Sequence, residues 1–548
     1  MLRTLRRRLT EVSSQVGPES QGAETLSQMG KMKSSFLPTA LGLVTALTAG
    51  TLSLACGGAI NQPKATGSAT KTANPLVAQY AVSSGCIGEA VVEFGPDTSY
   101  GRSTSSVPVV GGYKTSNILV AGMRASTTYH MRADVTCLDS GQPISTPDTT
   151  FTTGPLPSIP FPHMTVSRPN PSKSSPENPG IELVNIIQLT STDSMQAYFI
   201  DRDANPIWYY DVGANKYPFT MKLLPNGHMI LSIFGPDFST LREVDLTGNI
   251  VREMPIDDLA NKTNAAGYSF RPTDYHHDIC ILPNGHLIVL VQNVKDFTDL
   301  PGYPGTTSVG GDALIELDEN WNPVWAWNTF DHLDVNRHLY GLPDWTHSNA
   351  VVYDSKDGNL LLSMRHQSWI IKIDYANGTG SGNILWHLGY QGDFALTQKG
   401  IPTDDPSLWF SFQHFPSIVS QKDTQTTLAV WDNGDYRVMD TSGDVCVLDC
   451  YSRAVLFQYD ESSKVANIVW QHLPGLYSLW GGSINQLANE NVEFDLNAPF
   501  PNTAFASEVE EVTQTSSPQT VWKMDISRVN AYRAYRVPSL YPGVTWQK

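Results

Sequence analysis

A repeat constrains this chain more than any other feature. A short strand pattern ending in aspartate recurs as Tyr198-Phe199-Ile200-Asp201, Arg242-Glu243-Val244-Asp245, Ile315-Glu316-Leu317-Asp318, Lys372-Ile373-Asp374 and Phe457-Gln458-Tyr459-Asp460. Glu510-Glu511-Val512-Thr513 is a weaker sixth copy. A turn follows each, then a second strand pattern carrying Trp208, Val251, Trp325, Trp386, Trp470 or Trp522. Between these pairs lies Leu-Pro-Asn-Gly-His before an apolar run, at Leu224–His228 and Leu282–His286, decaying to Asp357-Gly358-Asn359 and Leu487–Asn491. Strand-only copies at intervals of 44 to 86 residues predict blades. One such sheet cannot bury both of its faces, so the copies must close into a ring. The expectation is an all-β protein with a six-bladed β-propeller over residues 184–548. A seven-bladed ring, with one blade in the proline-rich stretch before it, is the alternative.

The rest of the chain is read against that ring. Residues 76–154 hold short alternating runs such as Ala90–Phe94 and Thr128–Arg132, separated by turn residues, which predict a small β-sandwich. Ala125-Ser126-Thr127-Thr128-Tyr129 and the ending Thr-Phe-Thr-Thr-Gly resemble a fibronectin type III-like module. Residues 155–183 carry eight prolines and read as an extended linker. Residues 56–75 read as a tether. Within residues 1–55, Met32-Lys33 followed by an apolar run from Phe36 to Ala55 has the pattern of a secretory signal, with Met32 or Met29 as the expected translation start. Cys56, just after the small residues, resembles a bacterial lipoprotein acceptor and is a lipidation candidate.

Export is therefore expected, to the periplasm or as a lipoprotein facing the periplasm or the cell surface. Removing residues 1–55 takes away six basic and three acidic residues and deepens the net charge from −17 to −20. So acidic a chain excludes nucleic acid as a partner, since phosphates need a basic surface. An oxidising compartment also permits disulfides. Cys86 and Cys137 are expected to pair, Cys446 and Cys450 are candidates for a short loop closure, and Cys280 is left as a buried thiol.

Aligning the repeats with one another exposes the chemistry. His276-His277-Asp278-Ile279, His347-Ser348-Asn349-Ala350 and His414-Phe415-Pro416-Ser417 occupy equivalent places in three successive copies. Innermost propeller strands line a central channel, so these histidines should converge there. Arg365 ends the strand after His347. Three histidines and an arginine suit either a metal, with Asp278 as a carboxylate ligand, or an oxyanion held by a guanidinium fork.

Asp344-Trp345-Thr346-His347-Ser348-Asn349-Ala350-Val351, Ser363-Met364-Arg365-His366-Gln367 and Ile384-Leu385-Trp386-His387-Leu388-Gly389 resemble the bacterial arylsulfotransferase family. So do Phe412-Gln413-His414, Trp431-Asp432-Asn433-Gly434, Tyr451-Ser452-Arg453-Ala454 and Tyr532-Arg533-Ala534-Tyr535-Arg536, in the same order. The resemblance covers about residues 190–545. It implies an exported enzyme that moves a sulfuryl group from a phenolic sulfate to a phenol, with no nucleotide donor and no metal or other cofactor. It implies His414 as the nucleophile, His347, Asn349 and Arg365 as sulfate-holding residues, and one of His276 and His277 as a further catalytic histidine. The internal alignment favours His276. Ser483 is the expected polar residue from a later copy. Phe410, Phe412, Phe415 and Trp345 are candidates to receive a phenyl ring. A homodimer is left open, because this N-terminal module differs from that of the best-known members. The rival classes are a metal-dependent hydrolase or lyase and a non-catalytic binding propeller.

Overall fold

The computed structural model describes residues 64–547, apart from 160, 171–175, 188–193, 438–450 and 501–505. The expected signal segment, Cys56, Cys446 and Cys450 lie outside the described residues. The fold is mainly β-sheet.

Six antiparallel sheets follow one another along the chain. The first pairs Pro206–Ala214, Ser194–Ile200 and Ile181–Ile187 with the distant Asn530–Val537. The second runs Tyr217–Leu223, Met229–Gly235, Phe238–Val244, Ile250–Pro255. The third runs Pro272–Ile281, Leu287–Leu300, Tyr303–Leu317, Pro323–Asn328, and the fourth Ser348–Asp354, Asn359–Met364, Trp369–Ile373, Ile384–Gly389. The fifth runs His414–Lys422, Gln425–Asp432, Arg453–Asp460, Val465–His472, and adds Ala395–Gln398 in parallel. The sixth runs Ser483–Gln486, Val492–Asn497, Ala506–Val512, Thr520–Ser527. The leading strands touch in this order, and Ser483–Gln486 reaches Asn530–Val537 in the first sheet. Second strands such as Met229–Gly235 and Asn359–Met364 are nearly continuous apolar runs because neighbouring sheets cover both of their faces.

The repeated aspartate has a structural cause. It ends the third strand of the first five sheets, and its carboxylate accepts the backbone N–H groups of the turn that follows. Asp245 takes those of Thr247 and Asn249, and Asp318 those of Asn320 and Asn322. Asp is favoured because its side chain can replace a backbone acceptor in a tight turn. Tryptophans of the outer strands tie the first, third, fifth and sixth sheets to the turn of the next. Trp208 Nε1 donates to the Leu246 carbonyl, and Trp522 Nε1 to that of Arg202. In the third sheet Trp327, not Trp325, makes this bond, to the Gly382 carbonyl.

Two boundaries differ from expectation. Ala65–Lys71, placed in the tether, is a strand paired with Ala78–Ser84. Its small polar residues hide an alternation of buried and exposed positions. Within the proline-rich stretch, His163–Ser167 adds a fifth strand to the sixth sheet, so the stretch does not make a sheet of its own. The N-terminal module consists of two sheets, one of Ala65–Lys71, Ala78–Ser84 and Thr115–Val120, the other built on Ile87–Gly95 and Thr128–Cys137. A Cys86–Cys137 disulfide joins them, with Cα atoms 5.6 Å apart. The module packs on the first sheet, where Arg124 meets Asp201 at 2.5 Å.

The chain ends are locked by one buried arginine. Arg536 lies opposite Glu182 in the pairing of Asn530–Val537 with Ile181–Ile187. Its guanidinium bonds Glu182 beside it, and Glu493 at 3.1 Å and Glu511 at 3.2 Å in the sixth sheet. Burial, then the charges of Glu182 and Glu511, push the Glu493 carboxyl well above its usual range, so this cluster retains a proton. Removing one partner of a buried ionic group strands the others, at about 3–5 kcal/mol. Arg536→Met is expected to lose that much stability in urea unfolding, and Glu493→Gln in that background to recover part of it. A loss below about 1 kcal/mol would show that Arg536 does not hold the closure.

Candidate active site

The leading strands of the third to sixth sheets and the closing strand Asn530–Val537 meet in sequence; His347 and His414 sit at the starts of two of them, and His276 and His277 within a third. Here the backbone leaves ordinary β geometry. His277, His347, Phe412 and Phe415 all have positive φ, at 52°, 48°, 54° and 43°. Left-handed non-glycine residues cost of order 1–3 kcal/mol each and persist only where the surroundings impose them.

His414 opens the fifth sheet and is fully buried. Its Nδ1 lies 2.7 Å from Asn433 Oδ1. Asn433 gives its amide protons to the carbonyls of Ser478 (2.9 Å) and Gly481 (3.1 Å), so its oxygen must face the ring. His414 therefore carries its proton on Nδ1 and keeps a lone pair on Nε2, which meets the Gly481 N–H at 3.3 Å. Burial, then the nearby Arg365 charge, hold this imidazole well below the usual histidine range. It is neutral and nucleophilic at neutral pH.

Arg365 stands on the turn after the second strand of the fourth sheet. It donates to Asp435 Oδ2 at 2.8 Å, to the Leu479 carbonyl at 3.1 Å and to His366 Nε2 at 2.6 Å, and it lies over the Phe412 ring. Its Nε is buried with no partner among the described residues. Asp435 does not simply neutralise it: burial pushes that carboxyl up to about 7. Behind Asn349, Arg533 donates to Asp278 Oδ1 at 3.1 Å and to the Asn349 carbonyl. Lys222 also meets Asp278, at 2.7 Å. Asp278, considered as a metal ligand, is thus already held by two cations.

The structure brings His277, rather than His276, against the other site histidines. The strand bulges between Tyr275 and Ile279, and His277 takes the left-handed conformation. Three residues, His276 to Asp278, stand opposite one on the partner strand, and such an irregularity re-aims side chains in a way that alignment of the repeats cannot show. The His277 ring lies 4.9 Å from that of His347, 4.8 Å from Phe219 and 5.6 Å from Tyr532. His276 sits behind it, 2.7 Å away from Nδ1 to Nδ1. His347 bonds the Asp344 carboxylate through Nδ1 at 2.8 Å. Asn349 gives its amide to the Gln413 carbonyl at 2.7 Å and keeps Oδ1 buried without a partner. The Ser483 hydroxyl donates to the Ala534 carbonyl at 2.5 Å; the sixth-sheet approach to His414 is made by Gly481.

Sequence reasoning missed His366, Asn433 and Tyr532, although each stands in a quoted block. His366 is buried, 4.4 Å from His347 and 4.2 Å from Tyr340 ring to ring. It does not fall at the repeated histidine position, so no register argument could find it. Asp344, His347 and His366 stand close enough to hold a metal ion. Their atoms are committed otherwise. His366 Nδ1 donates to the Asp344 carbonyl at 2.8 Å and Nε2 accepts from Arg365, whose charge repels a cation. The second such group, Asp354, Asp357 and Glu461, encloses the Lys372 ammonium. Of the aromatic candidates, Phe412 lies beside Arg365 and His366, with Tyr340 and Tyr436 next to it. Phe410 packs on Phe457, Trp345 on Phe330, and Phe415 between Tyr535 and Arg533.

His277, His366 and His414 are all held well below the usual range, burial being the largest cause. Each refuses a proton that the unfolded chain accepts below about pH 6.5. The folded state binds fewer protons, so stability must fall as pH drops through that value, by about 1.4 kcal/mol per pH unit for each such ring. Denaturant midpoints measured between pH 7.5 and 5 should show this fall, and His414→Gln should make it shallower. An unchanged slope in that variant would contradict a neutral His414.

Comparison with known proteins shows the family of the chain. The model of the arylsulfotransferase (ASST) family matches residues 168–535. An arylsulfate sulfotransferase AssT from Lelliottia amnigena is 28% identical over 147 residues, which cover 24% of this chain and 23% of that protein. The AssT of Escherichia coli O6:H1 strain CFT073 is 25% identical over 141 residues, with the same shares. The match thus spans about a quarter of these relatives. Among solved structures, a putative 6-phosphogluconolactonase from Bacteroides fragilis is similar at 12% identity and a TM-score of 0.34, covering 82% of this chain and 98% of that one. A likeness so low carries no argument.

Proposed function

The chain belongs to the arylsulfotransferase family, and we propose that it transfers a sulfuryl group from an aryl sulfate to a phenol through a sulfated His414. The observation that carries this reading is the tautomer lock on His414. A neutral imidazole with Nε2 unprotonated, in the field of the buried Arg365 guanidinium, is a nucleophile once its Nε2 lone pair leaves the Gly481 N–H for sulfur. Nε2 attacks sulfur as the S–O bond to the phenol breaks. Arg365 and His347 hold the sulfuryl oxygens, and donors so placed are worth roughly 3–4 kcal/mol each in the transition state. Asn349 offers the remaining proton of its amide to the proposed binding set, and the Gly481 N–H takes the place expected of Ser483, whose hydroxyl is committed to the Ala534 carbonyl. A histidine of the same group, His277 or His347, protonates the leaving phenolate and later takes the proton of the acceptor, for about 10²–10⁴-fold. Phe412, Tyr340 and Tyr436 offer an aromatic wall for the phenyl ring.

The six sheets are read as the blades of a six-bladed propeller, closed by Asn530–Val537, and the N-terminal pair of sheets as a fibronectin type III-like sandwich. Export through the segment before Cys56, with lipidation of that residue, fits the Cys86–Cys137 disulfide, which needs an oxidising compartment.

Incubation with nitrophenyl sulfate should release nitrophenol much faster when a phenol acceptor is present, with ping-pong kinetics, and chelators should not change the rate. His414→Ala should form no covalent adduct. If that variant still trapped sulfate from an aryl sulfate, another residue would be the nucleophile. Acceptor-independent turnover abolished by chelation would favour a metal hydrolase instead.

A further inference from the structure

Behind the group that would face substrate lies a second, fully internal array that the transfer reaction as described does not use. His276 Nδ1 is 2.7 Å from His277 Nδ1, and His276 Nε2 is 3.2 Å from Asp312 Oδ1, off the line of an ideal hydrogen bond. The other oxygen of Asp312 accepts the Thr346 hydroxyl at 2.6 Å and the Ser348 N–H at 2.7 Å. These bonds come from the strand that carries His347, so the carboxylate is held from both the third and the fourth sheet. Asp274 also faces His276 from its own strand, with its carboxyl pushed up to about 6 by burial. His347 and Arg533 adjoin His277 on the other side. A histidine pair joined through Nδ1 atoms can hold only one proton between those atoms, and a carboxylate at the far end decides where it rests.

We propose that His277, His276 and Asp312 form a proton relay, with His276 and Asp312 as positioning residues that store the proton exchanged with the phenol. The inference rests on the sulfotransferase reading above. Before transfer, His276 carries protons on both nitrogens and is paired with Asp312, while His277 is neutral with its proton on Nε2. When the S–O bond breaks, the phenolate oxygen takes the Nε2 proton of His277. His277 Nδ1 takes the proton from His276 Nδ1 in the same step. His277 remains neutral and changes tautomer, and His276 becomes neutral with Nε2–H directed at Asp312. The acceptor phenol reverses each step: its O–H proton goes to His277 Nε2, and the Nδ1 proton returns to His276. One proton leaves the His276–Asp312 pair and one comes back, so the cycle balances. The ring nearest the reacting atoms never becomes charged beside Arg533 and His347, and the positive charge stays next to Asp312. His347, whose Nδ1 is bonded to Asp344, is left to the sulfuryl oxygens.

The relay matters only when the leaving group needs a proton, which gives it a signature that a packing role lacks. Rates of His414 sulfation should be measured with dinitrophenyl, nitrophenyl and unsubstituted phenyl sulfates, whose phenols are progressively poorer leaving groups. His276→Gln and Asp312→Asn should slow the phenyl ester by about 10²–10⁴-fold and the dinitrophenyl ester by less than about threefold, steepening the dependence on leaving-group pKa. The dinitrophenyl rate in the same variants reports that the site is still folded. A uniform loss across the three esters, or no loss with the phenyl ester, overturns the relay. If the wild type transfers no sulfuryl group to added phenol, it is the sulfotransferase reading that fails.

Discussion

The pairing of the last strand with the first holds the rest of the structure in place. Asn530–Val537 completes the sheet begun by Ile181–Ile187, some 350 residues earlier, and Arg536 binds carboxylates of two sheets at once. Without that closure the leading strands would have no reason to face one another. Closure entropy grows only slowly with loop length, so joining ends so far apart is affordable. The gain is a set of strand starts fixed relative to one another to the precision that the proposed transfer through His414 would need.

Electrostatics within the site follow from burial acting on paired groups. His414, His277 and His366 are forced neutral, and Asp435 is lifted towards neutrality, while Asp278 and Asp344 are kept ionised by the cations and histidines beside them. The proposed aryl sulfate, entering a chain of net charge −17, would therefore meet a local field quite unlike the global one. Arg365 and Arg533 are the source of that field, and only part of their charge is cancelled. The aromatic rings around Phe412 provide the apolar complement.

Much of this was legible before any coordinates. The aspartate that ends the third strand of the first five sheets is a turn acceptor, and turns must be encoded locally, so the repeat could be read from spacing. The histidine of each successive repeat was visible for the same reason, as was the Cys86–Cys137 pair. What could not be read has physical causes of two kinds. A bulge between Tyr275 and Ile279 moved His277 into the place expected of His276. Partners supplied by other sheets, such as Asn433 for His414 or Asp312 for His276, leave no trace in the local pattern. His366 illustrates both limits: it adjoins Arg365 in sequence, yet its contacts with Tyr340, His347 and the Asp344 carbonyl come from elsewhere in the chain.

By itself, then, the sequence determined the class of the fold and the kinds of side chain available to the site, because turn chemistry and strand alternation act over a few residues. The tertiary structure decided which nitrogen of His414 and of His366 carries the proton, which carboxylates remain charged and which of two adjacent histidines faces the others. Those properties depend on hydrogen bonds between residues tens to hundreds of positions apart, and only the folded chain brings such groups together.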